Sequence, residues 1–267
     1  MPESNNKTAL ILGGSRGIGH AIAVKMAQEG SDVAFTYAHC EEAALETKAK
    51  IEALGRRCFC CQASLQELGA PQQAVAQAIA ELGRVDALFS VAGRTEWYRI
   101  TELTAEQADV IYTLNYRAPL LATQAVSAHM IAQGIKGSIL YITSTHGLRA
   151  YPHDQIYGGL KAGLIRSTES IALELSQYGI RVNSVAPGMI NVRGGDSEVR
   201  LTREWAHKVP LGRYGKAEEV ANVAAFLASD QASYVTGITI KVDGGLILPG
   251  MPEDASPDAG YGWAARA

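Results

Sequence analysis

Tyr157 and Lys161 are the residues of this sequence whose types and spacing most directly indicate catalysis. They stand four positions apart in "YGGLK", so on a helix both side chains project from one face. An ammonium beside a phenol stabilises the phenolate, which predicts a tyrosine pKa below its usual value of about 10. Tyr157 would then donate a proton to a carbonyl oxygen or remove one from an alcohol. The alternative is an ordinary Tyr–Lys pair on the surface.

Ser144 favours the catalytic interpretation of that pair. It follows the apolar run Gly137–Thr143 and precedes Tyr157 by thirteen residues. If the run is a strand of a parallel sheet, Ser144 stands at its carboxyl end, where ligands gather in such sheets. The sequence therefore predicts that a hydroxyl lies at the edge of the sheet that carries the other candidate residues.

A glycine-rich stretch near the amino terminus, "ALILGGSRGIGHAIA", has two interpretations. Gly13-Gly14-Ser15-Arg16-Gly17 fits the G-x-S-x-G turn that exposes a nucleophilic serine in hydrolases. Gly13, Gly17 and Gly19 also spell G-x-x-x-G-x-G, a turn that brings backbone N–H groups and a helix N-terminus to a pyrophosphate.

The hydrolase interpretation needs an acid and then a histidine after Ser15 in chain order. The histidines available are His39, His129, His146, His153 and His207. That interpretation gives Ser144, Tyr157 and Lys161 no function, so we expect Ser15 to belong to a phosphate-binding turn. A nucleotide-binding scaffold without catalytic activity is a third possibility.

Short apolar runs alternate with segments of helical period along the chain. The predicted strands are Thr8–Leu12, Asp32–Tyr37, Arg57–Gln62, Ala87–Val91, Gly137–Thr143, Arg181–Ala186 and Thr239–Val242. Helical spacing lies between them, as in Ile18, Ile22 and Met26. This alternation predicts an α/β fold: a Rossmann-like, doubly wound parallel sheet of about seven strands with helices on both faces.

The whole chain of 267 residues is expected to form one domain, since no linker or repeat divides it. A polar segment at about 189–209 is predicted to be an active-site lid, and residues 246–267 form a proline-containing tail. The net charge is −3 without a basic block, which argues against nucleic acid as a partner. We expect no membrane span, no metal site and a cytoplasmic location.

Several motifs together resemble the short-chain dehydrogenase/reductase family. They are the glycine turn, Asn115 in "YTLNYRAP", Ser144 in "ITSTHG", Tyr157-x-x-x-Lys161, "RVNSVAPGMI" and the late stretch "PLGRYGKAEEVANVAAFLASDQASYVTGITIKVDGG". The resemblance runs from about Thr8 to Gly245 and is greatest to 3-oxoacyl-carrier-protein reductases and glucose dehydrogenases. It implies a homotetramer with interfaces around Ala105–Gln133 and Tyr151–Tyr178.

The resemblance also implies a role for each catalytic residue. Tyr157 would be the general acid/base, and Lys161 would bind the nicotinamide ribose and lower the tyrosine pKa. Ser144 would hydrogen-bond the substrate oxygen, and Asn115 would support a proton relay through water. The residues expected to bind the cofactor are Gly13, Ser15, Arg16, Gly17, Ile18, Gly19, Tyr37, Ser64, Ala92, Gly93, Tyr157, Lys161, Pro187, Gly188 and Ile190.

This sequence departs from the family pattern at positions that surround the cofactor. Leu12 replaces a threonine before the first glycine, and Ser90-Val91 replace two asparagines. Ser64 stands where an aspartate commonly contacts adenine, and Val192 replaces a threonine. The catalytic residues are intact, so the departures concern the affinity for the cofactor.

The end of the second predicted strand favours NADP(H) over NAD(H). An acidic residue there would bind the ribose 2′-hydroxyl and repel a 2′-phosphate, but Tyr37 occupies the position. Arg16 can pair with a 2′-phosphate. The sequence thus predicts an NADP(H)-dependent oxidoreductase that interconverts a ketone and a secondary alcohol of a small molecule. An NAD-dependent sugar or polyol dehydrogenase is the alternative.

Overall fold

The centre of the protein is a parallel sheet of seven strands. The computed structural model describes residues 7–192 and 206–248. Its strands are β1 (Thr8–Leu12), β2 (Asp32–Tyr37), β3 (Cys58–Gln62), β4 (Ala87–Ser90), β5 (Ser138–Ile142), β6 (Arg181–Pro187), β7 (Ile190–Asn191), β8 (Gly215–Lys216) and β9 (Thr239–Val242). The main sheet has the order β3-β2-β1-β4-β5-β6-β9, and β7 pairs with β8 separately. Each of the seven predicted strands is present, with its ends shifted by one residue at most.

Helices cover both faces of the sheet, as predicted. They are α1 (Gly17–Gln28), α2 (Glu41–Ala53), α3 (Ala70–Leu82), α4 (Ala105–Tyr112), α5 (Ala118–Ala132), α6 (Tyr157–Leu175) and α7 (Ala217–Ala228). Buried side chains of α1, α2 and α7 pack in one apolar cluster, and those of α3, α5 and α6 pack in a second. The prediction of a doubly wound fold is therefore confirmed.

The first strand shows why these apolar runs become strands of a parallel sheet. All five residues of β1 are buried. Ala9 and Ile11 belong to one apolar cluster, whereas Leu10 and Leu12 belong to the other. Because successive side chains of a strand point to opposite faces, a continuous apolar run satisfies a sheet that is covered on both sides.

The strand order reverses at β1, which lies between β2 and β4. Leu12 pairs with Ser90, and Ser90 pairs with Tyr141, so the carboxyl ends of β1, β4 and β5 are aligned. The crevice beyond these ends is the usual ligand site in such sheets. The fold thus brings the glycine turn, the segment after β4 and Ser144 to one edge.

Parts of the predicted lid and tail lie within the described residues. The β7–β8 pair joins the two sides of the lid segment, and residues 193–205 between them lie outside the described part. Residues 249–267 of the tail also lie outside it. None of the helices in the described ranges is long and apolar enough to cross a membrane.

Asp32 begins β2 as a buried charge that is 1% exposed. Arg56 Nη2 and Arg57 Nε each donate to its carboxylate at 2.7 Å. Burial alone would raise the pKa of Asp32, but the hydrogen bonds from Arg57 and Arg56 outweigh burial and lower it. Since folding then favours the carboxylate, this stabilisation is present above the unfolded-state pKa and is lost as the pH falls through the folded-state pKa.

Replacing Asp32 by asparagine is expected to lower the free energy of unfolding at neutral pH by about 1–3 kcal/mol, because charged hydrogen bonds are lost. The difference from the wild type should begin to shrink below about pH 4, where Asp32 of the unfolded chain takes up a proton, and should vanish once the pH falls below the lowered pKa of the folded state. Urea unfolding across the acidic range measures both effects. Asp230→Asn is the control, since the Lys7–Asp230 pair is exposed and is worth little. Equal losses in the two variants would contradict this account.

Candidate active site

The catalytic side chains meet where β5 ends and α6 begins. Ser144 follows β5 and starts a short 3-10 turn, Thr145–Gly147. Tyr157 is the first residue of α6, and Lys161 lies one turn further along the same helix. The Tyr157 side chain lies close enough to the hydroxyls of Ser144 and Thr95 for them to influence its pKa. The structure thus places a phenol, a hydroxyl and an amine together, as the spacing predicts.

Lys161 is buried, with 4% of its surface exposed. Its Nζ donates a hydrogen bond to the Ile142 carbonyl oxygen at 3.0 Å and lies 5.5 Å from the centroid of the Tyr157 ring. Burial disfavours the ammonium form and lowers the pKa of Lys161 to about 8. A lysine with such a pKa exchanges protons close to neutral pH.

The prediction that Lys161 lowers the pKa of Tyr157 is wrong in this structure. Burial raises the pKa of Tyr157, and the hydrogen bonds from Thr95 and Ser144 only partly oppose it. The physical reason is that both groups are withdrawn from water, while the Lys161 amine is directed to the Ile142 carbonyl. Burial therefore favours the neutral phenol of Tyr157.

Asn115 lies fully buried in a π-helical turn, Thr113–Arg117, between α4 and α5. Its Nδ2 donates to the carbonyl oxygens of Ile111, at 3.0 Å, and Arg94, at 2.9 Å. Its Oδ1 is buried and has no hydrogen-bond partner among the described residues. A π-helical turn re-aims side chains and is common at functional sites. The free acceptor fits the predicted role of holding a water.

Gly93, three residues after β4, lies against this acceptor. A Cβ atom at Gly93 would lie 2.7 Å from Asn115 Oδ1 and 3.6 Å from Lys161 Nζ. Any side chain at Gly93 would therefore fill the space between the amide oxygen and the amine. Glycine at this position lets the main chain lie close to both groups.

The glycine turn has the geometry that a dinucleotide phosphate requires. Gly13 has φ +88° and Gly17 has φ +56°, which side chains rarely adopt. A Cβ at Gly19 would lie 1.8 Å from the Gly13 carbonyl oxygen, so the first turn of α1 can approach the loop only because Gly19 has no side chain. The loop and the N-terminus of α1 together present backbone N–H groups to an anion. The residues present therefore fit a nicotinamide dinucleotide.

Ser15 lies in this turn as a structural residue. Thr47 Oγ1 donates to the Ser15 carbonyl oxygen at 3.2 Å, and His20 Nδ1 lies 2.7 Å from the same Thr47 oxygen. His20 is therefore engaged with Thr47 and does not activate Ser15. These contacts hold the main chain of Ser15 in the turn.

The remaining predicted cofactor residues also lie along the carboxyl edge of the sheet. Tyr37 ends β2, Ser64 follows β3, and both Arg16 and Ser64 are exposed. Ile18 lies in the first turn of α1, and Ala92 follows β4. Pro187, Gly188 and Ile190 close the edge at β6 and β7.

Main-chain hydrogen bonds connect the strands at this edge despite the departures from the family pattern. The Leu12 carbonyl oxygen accepts hydrogen bonds from the N–H groups of Val91, at 3.1 Å, and Ala92, at 2.8 Å. The Leu12 side chain, 1% exposed, packs in the apolar core. Val192 lies against Gly17, where an added Cβ would meet its side chain at 3.3 Å. The loop positions are thus fixed by main-chain bonds and packing.

Sequence reasoning missed three threonines that hold the site. Thr36 Oγ1 accepts from the Gly13 N–H at 3.0 Å, Thr47 supports Ser15, and Thr95 bonds Tyr157. Thr36 precedes the last residue of a predicted strand, so its position beside the glycine turn follows from the sheet order. Thr47 and Thr95 lie in a helix and a loop and carry no comparable sequence signal.

The fold and the site together define a short-chain dehydrogenase/reductase, and the chain belongs to this family. The family pattern described as enoyl-(acyl carrier protein) reductase matches residues 13–247. The comparisons therefore confirm the resemblance and the class of enzyme.

Several individual proteins are similar over nearly their whole length. L-rhamnose 1-dehydrogenase (NAD(P)(+)) of a Sphingomonas species is 36% identical over 91% of this chain and 96% of its own. 3-Oxoacyl-(acyl-carrier-protein) reductase FabG of Staphylococcus epidermidis is 35% identical over 91% of this chain and 100% of its own.

Solved structures show the same similarity. Acetoin dehydrogenase YohF from Salmonella typhimurium superposes with a TM-score of 0.87 and 34% identity, covering 92% of this chain and 97% of that one. A blue fluorescent protein from a metagenomic library, solved in complex with NADPH, has a TM-score of 0.85 and 35% identity. It covers 91% of this chain and 98% of its own.

Gly19→Ala tests the close approach of the loop and α1. The new Cβ would collide with a backbone oxygen, so the turn must shift; we expect the Kd for NADPH to rise more than tenfold and the unfolding free energy to fall by about 1–3 kcal/mol. Nicotinamide fluorescence and thermal unfolding measure these effects. Gly159→Ala in α6 is the matched control, because a Cβ there meets no atom within 4 Å. Wild-type binding by the Gly19 variant would refute the described packing.

Proposed function

We propose that the protein is an NADP(H)-dependent oxidoreductase that interconverts a ketone and a secondary alcohol, with Tyr157 as the general acid/base. The observation that carries this proposal is the half-buried Tyr157 side chain beside Ser144, at the sheet edge that holds the glycine turn. A non-catalytic scaffold would have no use for this arrangement of buried polar groups.

The chain's own residues handle the proton. When bound, the nicotinamide cofactor supplies the hydride in reduction and accepts it in oxidation. Tyr157 donates its proton to the carbonyl oxygen of the ketone. The Ser144 hydroxyl donates a hydrogen bond to the same oxygen and stabilises the negative charge that develops there.

Tyr157 must regain a proton after each reduction. Lys161 is suited to supply it, because its pKa of about 8 lets it gain and lose a proton near neutral pH. Asn115 Oδ1 and Lys161 Nζ both border the space beside Gly93, where a water can bridge them. This route would connect the buried tyrosine to solvent without moving the backbone.

The preference for NADP(H) rests on the charges around the end of β2. Residues 37–40 contain no acidic side chain, and Arg16 is exposed at the start of α1. Glu41 and Glu42 lie in the first turn of α2. The similar protein solved with NADPH supports the same choice.

Tyr157→Phe removes only the reacting hydroxyl. We expect kcat with a ketone substrate to fall by at least about 100-fold, the usual contribution of general acid catalysis. The Kd for NADPH should change less than threefold, since the glycine turn is untouched. Steady-state turnover of a ketone panel and fluorescence titration measure the two quantities. Unchanged turnover would rule out the tyrosine mechanism.

Titration with NADPH and NADH tests the cofactor assignment. We expect tighter binding of NADPH, and Arg16→Ala should weaken it by about tenfold or more because a charged hydrogen bond is lost. Binding of NADH should stay within about twofold. Lys25→Ala is the control, since Lys25 lies in the last turn of the same helix and pairs with Glu29. Tighter binding of NADH by the wild type would overturn the assignment.

An NAD-dependent sugar or polyol dehydrogenase is the second candidate. The similarity to L-rhamnose 1-dehydrogenase (NAD(P)(+)) favours it. The same catalytic residues would then act in the oxidation direction, with Tyr157 removing the proton of a hydroxyl.

We also propose a cytoplasmic homotetramer. Exposed apolar side chains lie within the two segments expected to form interfaces: Val110, Tyr112, Ile131, Leu173 and Tyr178. Leu173 on α6 is 80% exposed, which is unusual for a leucine on a helix that packs against a sheet. Burial against other subunits would remove these side chains from water.

A further inference from the structure

His146 and Asp154 form a hydrogen-bonded pair beside the catalytic tyrosine. His146 lies in the turn that follows Ser144, and its Nδ1 is 2.7 Å from Asp154 Oδ2. The His146 N–H also donates to Ser144 Oγ at 3.1 Å. The pair is therefore connected directly to the reacting groups. The proton transfer proposed for Tyr157 makes no use of it.

Asp154 is a buried carboxylate, 4% exposed, just before α6. Its Oδ1 has no hydrogen-bond partner among the described residues. Gly158 makes room for it, because a Cβ there would lie 2.6 Å from Asp154 Oδ2. Buried polar atoms are nearly always bonded, so an unpartnered carboxylate oxygen in a catalytic pocket points to a polar ligand or water.

Aromatic rings surround the imidazole. His146 stacks on Tyr151 with centroids 4.3 Å apart and an interplanar angle of 22°. The Tyr157 ring meets it edge-on at 5.7 Å, and the Trp97 ring is tilted at 5.3 Å. These contacts fix the plane of the imidazole, and the His146 side chain remains 23% exposed. The ring is therefore held rigidly while part of it stays accessible from the site.

The carboxylate determines which nitrogen a substrate can contact. Asp154 accepts from Nδ1–H, which leaves Nε2 as the ring nitrogen that a substrate can contact. A nitrogen backed by a buried carboxylate favours a neutral polar group such as a hydroxyl over an anionic group. Because the imidazole is in edge contact with Tyr157, that hydroxyl would lie close to the carbon on which the tyrosine acts.

We propose that His146, oriented by Asp154, is a specificity residue that binds a hydroxyl on the carbon next to the reacting one. The inference rests on the proposed function, in which Tyr157 protonates the substrate carbonyl. It names the substrate class as α-hydroxy ketones in reduction and vicinal diols in oxidation. Asp154 is a positioning residue that holds the imidazole and its tautomer.

A pair of substrates that differ by one hydroxyl tests this assignment. The wild type is expected to favour 3-hydroxybutan-2-one over butan-2-one by about tenfold or more in kcat/KM, since a site built to bind a hydroxyl rejects the analogue without it. His146→Phe keeps a ring for the stacking contacts but removes both nitrogens. It should lower kcat/KM for the hydroxy ketone about tenfold more than kcat/KM for butan-2-one.

Two further variants separate positioning from packing. Asp154→Asn keeps the volume of the side chain but no longer fixes the tautomer of the His146 ring. It should reduce the preference for 3-hydroxybutan-2-one over butan-2-one by about threefold or more. His129→Phe is the matched control, because His129 lies away from the site. Burial lowers the pKa of His129, and the charges of Asp86 and Arg84 also affect it; these two residues precede β4 at the opposite edge of the sheet. This control variant should leave the preference unchanged. Thermal unfolding verifies that each variant is folded.

The outcomes distinguish this inference from the proposed function. A preference that is unchanged in His146→Phe, or equal losses for both ketones, would overturn the role of His146. A wild type that reduces simple ketones but shows no preference for the hydroxy ketone would overturn the inference alone. A wild type that binds NADPH but turns over no ketone or alcohol would overturn both.

Discussion

The burial of the Lys161 amine is the constraint on which the rest of the site depends. An amine withdrawn from water needs a partner, and the Ile142 carbonyl at the end of β5 provides one at 3.0 Å. This bond fixes the first turn of α6 against the sheet and so fixes Tyr157 one turn earlier. Gly147 permits the contact, because a Cβ there would lie 2.7 Å from the backbone nitrogen of Ala162. Burial also lowers the pKa of Lys161 to about 8. The burial of one amine therefore determines both where Tyr157 lies and how readily Lys161 exchanges a proton.

The two halves of the site are built in different ways. Backbone groups form the half proposed to bind the cofactor: the Leu12 carbonyl binds the loop after β4, and glycines 13, 17 and 19 let the turn and α1 pack closely. Side chains form the substrate half, where Ser144, Tyr157, His146 and Asp154 are linked by hydrogen bonds and ring contacts. Leu12 and Ser90 lie in the first half as neighbouring strand residues that pair with each other through the main chain.

The strands could be predicted from the sequence because a parallel strand that is buried on both faces has a continuous run of apolar residues, as in Thr8–Leu12. The catalytic residues could be found because helical spacing and strand ends determine their placement. The direction of the Tyr157 pKa shift could not be predicted from the sequence, because it depends on burial in the assembled fold. The π-helical turn at Asn115 and the His146–Asp154 contact were equally inaccessible, because local geometry and a packed loop create them.

The pairing of His146 with Asp154 restricts how the imidazole can meet a ligand. A lone histidine at the pocket wall could rotate and could present either nitrogen. The His146 ring is held in one orientation by the Asp154 carboxylate, the stacked Tyr151 ring and the edge contact with Tyr157. Only Nε2 is then left for a ligand. Rigidity of this kind reduces the entropy lost when a substrate binds, and it makes recognition depend on the placement of one donor. A family that shares one catalytic arrangement can therefore diverge in substrate by changing the few residues between Ser144 and Tyr157.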